Sequence, residues 1–418
     1  MDKMAVQGGA KLSGKVSASG SKNAVLPLLF ATLLAEGDHV FENVPELVDV
    51  ESACQLLNHL GCRTEFKNHT LKVKVGPQTE IEAPYDIVRK MRASILCLGP
   101  LLARRRRAKV SLPGGCAIGS RPIDLHIEGM RAMGADLVVE SGYVIGETSK
   151  LRGTKMLFES PTVGGTENIM MAACLAEGET VIENAAKEPE IVDLADYLTK
   201  MGAKIQGAGT SIIRIQGVDR LKAAEHQVIP DRIEAGTLLI AGAITGGEVT
   251  VANCNPDHLE ALLAKMRESG FEISTTKTEM TVHACKGWKG VDVTTAPHPA
   301  FPTDLQAQFM SLMCEANGTS VITETVFENR FMHVQELVRL NADITPKTRV
   351  AVVRGTPGKL TGAPVMATDL RASACLVIAG LVAGGETVVN RIYHLDRGYE
   401  DMEGKLTSLG AKIRRISG

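Results

Sequence analysis

One segment of the 418-residue chain gathers the residue types that proton transfer or nucleophilic chemistry needs. It reads Ser111-Leu112-Pro113-Gly114-Gly115-Cys116-Ala117-Ile118-Gly119-Ser120-Arg121-Pro122-Ile123-Asp124-Leu125-His126. Three glycines and two prolines among its sixteen residues exclude a regular helix across it. Pro122 suits the first turn of a helix that follows. Cys116 is therefore expected on a loop, just ahead of a positive helix N-terminus and close to Arg121. Both neighbours favour the thiolate over a thiol whose ordinary pKa is about 8.5. An arbitrary cysteine is usually a packed core residue. Cys97, Cys174, Cys314 and Cys375 fit that description, because each lies in an aliphatic helical run. The glycine-rich, polar setting of Cys116 sets it apart as a reactive group aimed at small anionic substrates.

Composition narrows the remaining chemistry. The nine cysteines are an odd number without a CxxC pair, and the ten histidines include no HExxH. Neither a disulfide framework nor a resident metal is expected, and the cysteine usage fits a reducing cytoplasm. A net charge of −2 argues against a nucleic-acid-binding face, so anion recognition must rest on a few focused arginines. No charged and then apolar leader opens the chain, and no apolar run approaches the roughly 20 residues of a membrane helix. The expectation is a cytoplasmic enzyme, not membrane-inserted, working as a monomer. Arg104-Arg105-Arg106-Arg107 reads as a solvated basic turn ahead of the cysteine loop.

The elements that must hold this loop repeat along the chain. Six amphipathic helices end on a similar corner followed by a strand: Gly61-Cys62, Gly134-Ala135, Gly202-Ala203, Gly270-Phe271, Asn341-Ala342 and Gly410-Ala411. The corners are 73, 68, 68, 71 and 69 residues apart. Gly or Asn there suits a left-handed residue closing a helix. Upstream runs such as Leu34-Ala35-Glu36-Gly37 and Leu175-Ala176-Glu177-Gly178 each precede a β-rich segment. A period near 70 is too long for an ordinary solenoid and suits two α/β domains of three units each. The last unit stops short, whereas residues 1–20 carry unpartnered strand patterns, so the N-terminal strands are expected to complete the last unit. That gives one domain of residues 22–229 and a discontinuous one of residues 1–21 with 230–418.

Long motifs throughout the chain resemble one family. They include Ser21-Lys22-Asn23-Ala24, Met91-Arg92-Ala93-Ser94, the Pro113–His126 loop and Glu188-Pro189-Glu190-Ile191-Val192-Asp193. Others are Pro230-Asp231-Arg232-Ile233-Glu234, the run from Thr295 through Asp304 to Gln306, the run from Thr323 to His333, Asp369-Leu370-Arg371-Ala372-Ser373 and Asp396-Arg397-Gly398-Tyr399-Glu400. The chain resembles the UDP-N-acetylglucosamine 1-carboxyvinyltransferase family of enolpyruvyl transferases over essentially its whole length. The resemblance implies a two-domain inside-out α/β barrel of six βαβαββ repeats, three per domain, with the active site in the interdomain cleft. It implies transfer of the enolpyruvyl group of phosphoenolpyruvate to the 3′-hydroxyl of UDP-N-acetylglucosamine, without metal or organic cofactor, through a tetrahedral ketal.

The resemblance also implies roles. Cys116 matches the family's proton donor, on a loop that acts as a lid and able to form a phosphoenolpyruvate adduct. Asp304 matches the base for the sugar hydroxyl, although by its sequence alone it reads equally well as a helix N-cap. Lys22, Arg121 and Arg397 match phosphoenolpyruvate ligands, with Arg92 and Arg371 close by in the pattern, and Arg330 joins the expected substrate contacts. An isolated arginine is ordinarily a solvated surface charge, so Arg371 also has a structural reading. Asn23 is expected to touch substrate. Arg121, Pro122, Ile123, Asp124 and Leu125, together with Ser160, Thr162, Val163 and Gly164, are expected around the uridine diphosphate, with Val326 and Asp304 near the sugar. Glu46, Leu96 and Ser160 depart from the Lys, Trp and Lys of some members. Two alternatives remain at this level: the shikimate-pathway enolpyruvyl transferase, which does not use this cysteine lid, and a catalytically weak paralogue that binds UDP-sugars.

Overall fold

Each repeat is built on a helix with little or no polar face. Arg232–Ile244 and Gln306–Cys314 are buried at every position. Lys22–Ala31, Val163–Ala173 and Leu370–Gly380 are buried at nearly every one. A helix apolar on all sides has to be enclosed, so these elements form the centre. In one group, Gln306–Cys314 packs on Arg232–Ile244 and on Leu370–Gly380; in another, Lys22–Ala31 and Leu98–Arg105 both pack on Val163–Ala173. The computed structural model describes residues 2–89, 91–112 and 123–418. Among these the chain forms two compact units, residues 2–19 with 230–418 and residues 20–112 with 123–229. We refer to them as the first and the second unit.

Sheets wrap the helices of each unit. Six four-stranded sheets are formed among the described residues, three per unit. Their strands alternate inward and outward, as in Thr70–Val75, where Leu71, Val73 and Val75 are buried. Each sheet joins one short parallel edge strand to an antiparallel set. In one, Val293–Thr294 runs parallel to Gly318–Thr323, which pairs antiparallel with Val350–Gly355. Helices inside and sheets outside, repeated three times per unit, is the inside-out α/β architecture that the family resemblance implies. All six corner residues adopt positive φ, from 71° at Asn341 to 110° at Gly270. Hydrogen bonds such as Cys62 N to Leu57 O and Ala411 N to Leu406 O then close the helix ends.

One strand departs from expectation. Lys3–Gln7 enters the sheet of the last repeat, between Glu386–Asn390 and Lys412–Ile416. Ser13–Ser17 instead runs parallel to Glu248–Ala252, in the sheet of the fourth repeat. The reason lies in an exchange of edges. Elsewhere the parallel edge strand directly precedes the buried helix of its own repeat, as Pro364–Met366 precedes Leu370–Gly380. Before the fourth repeat that segment, Glu225–Gln227, pairs with Gly37–Glu42 of the first repeat. The edge of Glu248–Ala252 is thereby left for Ser13–Ser17, whose backbone groups need a ladder partner.

The basic turn also differs from its reading. Only Arg106 and Arg107 are exposed. Arg104 turns inward and donates to the Leu33 and Gly76 carbonyls at 3.1 and 2.8 Å, with Glu36 at 3.2 Å. It therefore satisfies the Leu33 carbonyl where a helical turn ends, as a cation near a helix C-terminus does, and the Gly76 carbonyl just past the strand Thr70–Val75. Among the described residues no helix is long and apolar enough to cross a membrane.

Candidate active site

The site residues cluster at the N-terminal ends of the buried helices, and short capping residues set them there. In the first unit, Asp369 caps Leu370–Gly380: its Oδ1 accepts from the Arg371 and Ala372 amides at 2.8 and 3.1 Å. That fixes Arg371 in the first helical turn. Asp304 lies in the 3-10 turn Thr303–Leu305, immediately before Gln306–Cys314. It is not a cap. Its Oδ2 accepts from Arg371 Nη2 and its Oδ1 from Arg330 Nη2, each at 2.9 Å. Both guanidiniums are nearly sealed, with side chains 4 and 3% exposed, while Asp304 keeps 25%. Arg371 is therefore not a solvated surface charge.

Burial alone would lower the Arg371 pKa, but Asp304, Tyr399 and Asp231 outweigh it and hold the guanidinium above its ordinary value. Its charge centre lies 5.4 Å from the centre of the Tyr399 ring. Tyr399 is itself fixed by Thr237 and Gln308, and Gln308 also donates to the Asp304 carbonyl at 2.9 Å. One donor of the cluster stays unused: Arg371 Nη1 is buried and has no hydrogen-bond partner among the described residues. A buried guanidinium N–H without an acceptor is costly, and a bound carboxylate or phosphate would satisfy it. Arg397 ends the turn Ile392–Arg397, two residues before Tyr399. With burial as the larger cause, it helps lower the pKa of His394. Val326 is exposed on the segment that leads to Arg330.

In the second unit, Ser21 caps Lys22–Ala31 by accepting from the Ala24 amide, and this opens the helix on Lys22 and Asn23. Lys22 pairs with Asp49 at 3.1 Å, in a contact where the lysine side chain is 15% exposed and the aspartate 3%. The helix packs against the 3-10 turn Arg92–Cys97, which begins on Arg92. Thr162 caps Val163–Ala173 by accepting from the Gly165 amide at 3.2 Å. Val163 and Ser160 are exposed around that start, and Ile123, Asp124 and Leu125 open the neighbouring helix Asp124–Ala132.

His126 and Asn168 tie these segments together. Asn168 Nδ2 donates to His126 Nδ1 at 3.0 Å and to the Ile95 carbonyl at 3.1 Å, and its Oδ1 accepts from the Gly99 amide at 2.8 Å. Burial, with Arg92 second, pushes the His126 pKa down to about 4, so the ring is neutral near pH 7. A Cβ on Gly164 would lie 3.3 Å from His126 Cε1 and 3.4 Å from Nε2, so a larger residue there would push the ring by a few tenths of an ångström. Arg92, the Ile123–Leu125 stretch and the Thr162–Gly164 stretch thus share one buried pair. Sequence reasoning gave roles to neither Asn168 nor Asp49. Asn168 carries no signal beyond being a polar residue in a largely buried helix, whereas Asp49 is an acidic residue in the first turn of Val48–His59.

Cys116, Arg121 and Pro122 lie outside the described residues. The eight described cysteines are free thiols. Burial pushes Cys97, Cys174 and Cys375 up to about 12, and Cys314 well above its ordinary value. These four are packed thiols with little thiolate character, as their helical runs suggest.

Comparison with known proteins gives this arrangement a family. The model of the EPSP synthase (3-phosphoshikimate 1-carboxyvinyltransferase) family matches residues 6–406. The chain belongs to the EPSP synthase family. Within it, a protein of Bdellovibrio bacteriovorus called UDP-N-acetylglucosamine 1-carboxyvinyltransferase is 69% identical over 413 residues, covering 99% of this chain and 100% of that one. A protein of the same name from Thermodesulfovibrio yellowstonii is 56% identical over 417 residues, with both chains fully covered. Among solved structures, the enolpyruvyl transferase NikO of Streptomyces tendae superposes with a TM-score of 0.90 at 24% identity, over 100% of this chain and 99% of that one. EPSP synthase from Acinetobacter baumannii gives 0.78 at 18% identity, with both chains fully covered. At these identities the structural likeness establishes the fold.

Proposed function

We infer that the protein transfers the enolpyruvyl group of phosphoenolpyruvate to the 3′-hydroxyl of UDP-N-acetylglucosamine, the committed entry to peptidoglycan. The observation that carries this reading is the half-buried Asp304 carboxylate between two buried guanidiniums, one of them with an N–H left over. It sits in a chain 69% identical, end to end, to a relative of that name. Phosphoenolpyruvate carries a carboxylate and a phosphate, and a sealed guanidinium suits either. Lys22, Arg92, Arg121, Arg371 and Arg397 are the cations we assign to it, with Arg330 holding Asp304. Asn23, residues 121–125, Ser160, Thr162, Val163, Gly164 and Val326 are assigned to the UDP-sugar.

The chemistry divides into two steps. In the addition, Asp304 takes the proton of the sugar 3′-hydroxyl as its oxygen bonds to C2 of phosphoenolpyruvate, and Cys116 delivers a proton to C3. The result is a tetrahedral ketal that still carries the phosphate. In the elimination, a C3 proton is lost, the C2–O bond to phosphate breaks and the enolpyruvyl double bond reforms. The assigned guanidiniums stabilise the charge on phosphate and carboxylate throughout. A cytoplasmic location belongs to the same reading and is supported by nine cysteines without a CxxC pair.

The test is phosphate release from phosphoenolpyruvate with either acceptor. Release is expected with UDP-N-acetylglucosamine and not with shikimate 3-phosphate. Release only with shikimate 3-phosphate would move the protein to the other branch of the family, and no release with either would leave a binding protein. Cys116→Ser should lose turnover and covalent inactivation by the epoxide fosfomycin. Continued inactivation would exclude Cys116 as the reactive thiol.

A further inference from the structure

Glu324 is a buried carboxylate that the proposed chemistry does not use. It is 1% exposed, at the end of the strand Gly318–Thr323, and both of its oxygens are engaged. Oε1 accepts from Thr295 Oγ1 at 2.8 Å and from the Val326 and Phe327 amides at 2.8 and 3.1 Å. Oε2 accepts from Thr303 Oγ1 at 2.8 Å. A carboxylate buried this deeply needs such a set of donors. The identity of those donors is what matters here. Thr303 adjoins Asp304 in the turn Thr303–Leu305, and Val326 and Phe327 open the segment that leads to Arg330.

The contacts close into a ring. Glu324 holds Thr303, whose neighbour Asp304 accepts from Arg330 at 2.9 Å. The Arg330 guanidinium lies 5.4 Å from the centre of the Phe327 ring, and the Phe327 amide returns to Glu324. Arg349 braces the same corner, donating to the Thr325 carbonyl at 3.0 Å. Within this ring the base cannot shift without dragging the Val326 turn, and the Val326 turn cannot shift without dragging the base.

We propose that Glu324 is a positioning residue for the transferase reaction: its carboxylate locks the turn bearing Asp304 to the turn bearing Val326, so that base and sugar contact hold one geometry. The inference rests on the function proposed above. It differs from a purely structural role in one respect, because the Thr303 bond ties the carboxylate directly to the turn that bears the base.

Three variants separate the two roles. Thr303→Val removes that bond with little change in shape, and Thr303→Ser keeps the hydroxyl. Thr295→Val removes a bond of equal length from the other oxygen, together with the acceptor of the Thr325 amide at 3.0 Å, and leaves the turn of Asp304 untouched. Displacing a reacting group by about 1 Å costs up to roughly 100-fold in rate. Because Arg330 and Arg371 still hold Asp304, Thr303→Val is expected to lower kcat roughly tenfold while KM for phosphoenolpyruvate stays within about twofold. Thr303→Ser should restore kcat to within about twofold. Thr295→Val should keep wild-type kcat even though it melts earlier. If Thr303→Val keeps wild-type kcat, or if both valine variants lose kcat equally, Glu324 is structural and the inference is overturned. Wild-type protein that releases no phosphate with UDP-N-acetylglucosamine would refute the functional reading, and this inference with it. An unchanged Thr303→Val beside an active wild type refutes this inference alone.

Discussion

Replacing Asp304 by asparagine tests the site at its most charged point. Asp304 is the common acceptor of two guanidiniums whose side chains are only 3 and 4% exposed. Asparagine keeps the volume but loses the charge, and its NH2 must face one of the two guanidinium donors. Removing one partner of a buried ion pair typically costs about 3–5 kcal/mol. Because a quarter of the Asp304 side chain remains exposed, the lower end applies, and about 3 kcal/mol is expected. Urea unfolding of wild type and variant at neutral pH measures this directly, with equal slopes as the control for an unchanged denatured state. Turnover should vanish while UDP-N-acetylglucosamine still binds. Removing Arg330 as well, as Arg330→Met, should return about 1–3 kcal/mol of coupling in a double-mutant cycle. If Asp304→Asn is as stable as wild type, the carboxylate does not neutralise these guanidiniums. A variant that also fails to bind the nucleotide sugar would make Asp304 a ligand before a base.

Two further expectations concern groups away from the reacting atoms. Burial raises the Glu234 pKa from 4.5 to about 7, although Lys405 at 2.6 Å and the Ser19 amide favour the ionised form. A folded pKa above the unfolded one gives stability that is complete below pH 4.5 and is lost as pH rises through 7, so Glu234→Gln should gain roughly 2–3 kcal/mol on wild type between pH 5 and pH 8; a pH-independent difference in urea midpoints would contradict it. Gly99 approaches Asn168 so closely that an added Cβ would lie 2.4 Å from its Oδ1 and 2.5 Å from its carbonyl oxygen. Gly99→Ala should therefore cost about 1–3 kcal/mol and weaken UDP-N-acetylglucosamine binding by displacing the Asn168–His126 pair, and an unchanged melting temperature and affinity would refute that link.

The repeat was legible because its signals are local. A glycine or asparagine that must take positive φ leaves a mark at each corner, and apolar helices announce that they are enclosed. Asp304, Arg371 and Arg397 could be named because they sit in long motifs, yet their partners could not. The pairing of Asp304 with Arg330 spans 26 residues and that with Arg371 spans 67, distances over which periodicity carries no information. Glu324 and Tyr399 lay inside quoted motifs without roles, since a buried carboxylate with four donors reads in sequence like any strand-end glutamate. The exchange of Ser13–Ser17 with Glu225–Gln227 was hidden for a related reason. Both are short, ordinary strands, and which edge each fills depends on where the chain leaves a unit.

That exchange makes the two units unequal as independent folding bodies. Residues 20–229 contain every strand of their three sheets, including the edge strand Glu225–Gln227. Residues 230–418 lack two of theirs. One is an edge, Ser13–Ser17, but the other, Lys3–Gln7, is an inner strand paired on both sides. Met4, Val6, Leu12 and Val16 all belong to the buried core of that unit. At about 1.5–3 kcal/mol per buried side chain, their loss removes on the order of 8 kcal/mol before any ladder bond is counted. That is comparable with the whole stability of an ordinary domain. The fragment 20–229 should therefore unfold cooperatively on its own, whereas 230–418 should not until a peptide of residues 1–19 is added. Trp288, the single tryptophan, is buried in the first unit with its Nε1 donating to the Leu312 carbonyl at 3.0 Å. Its emission therefore reports on that fragment alone. Native-like emission and a cooperative transition from 230–418 without the peptide would show that the N-terminal strands only decorate a core that closes without them.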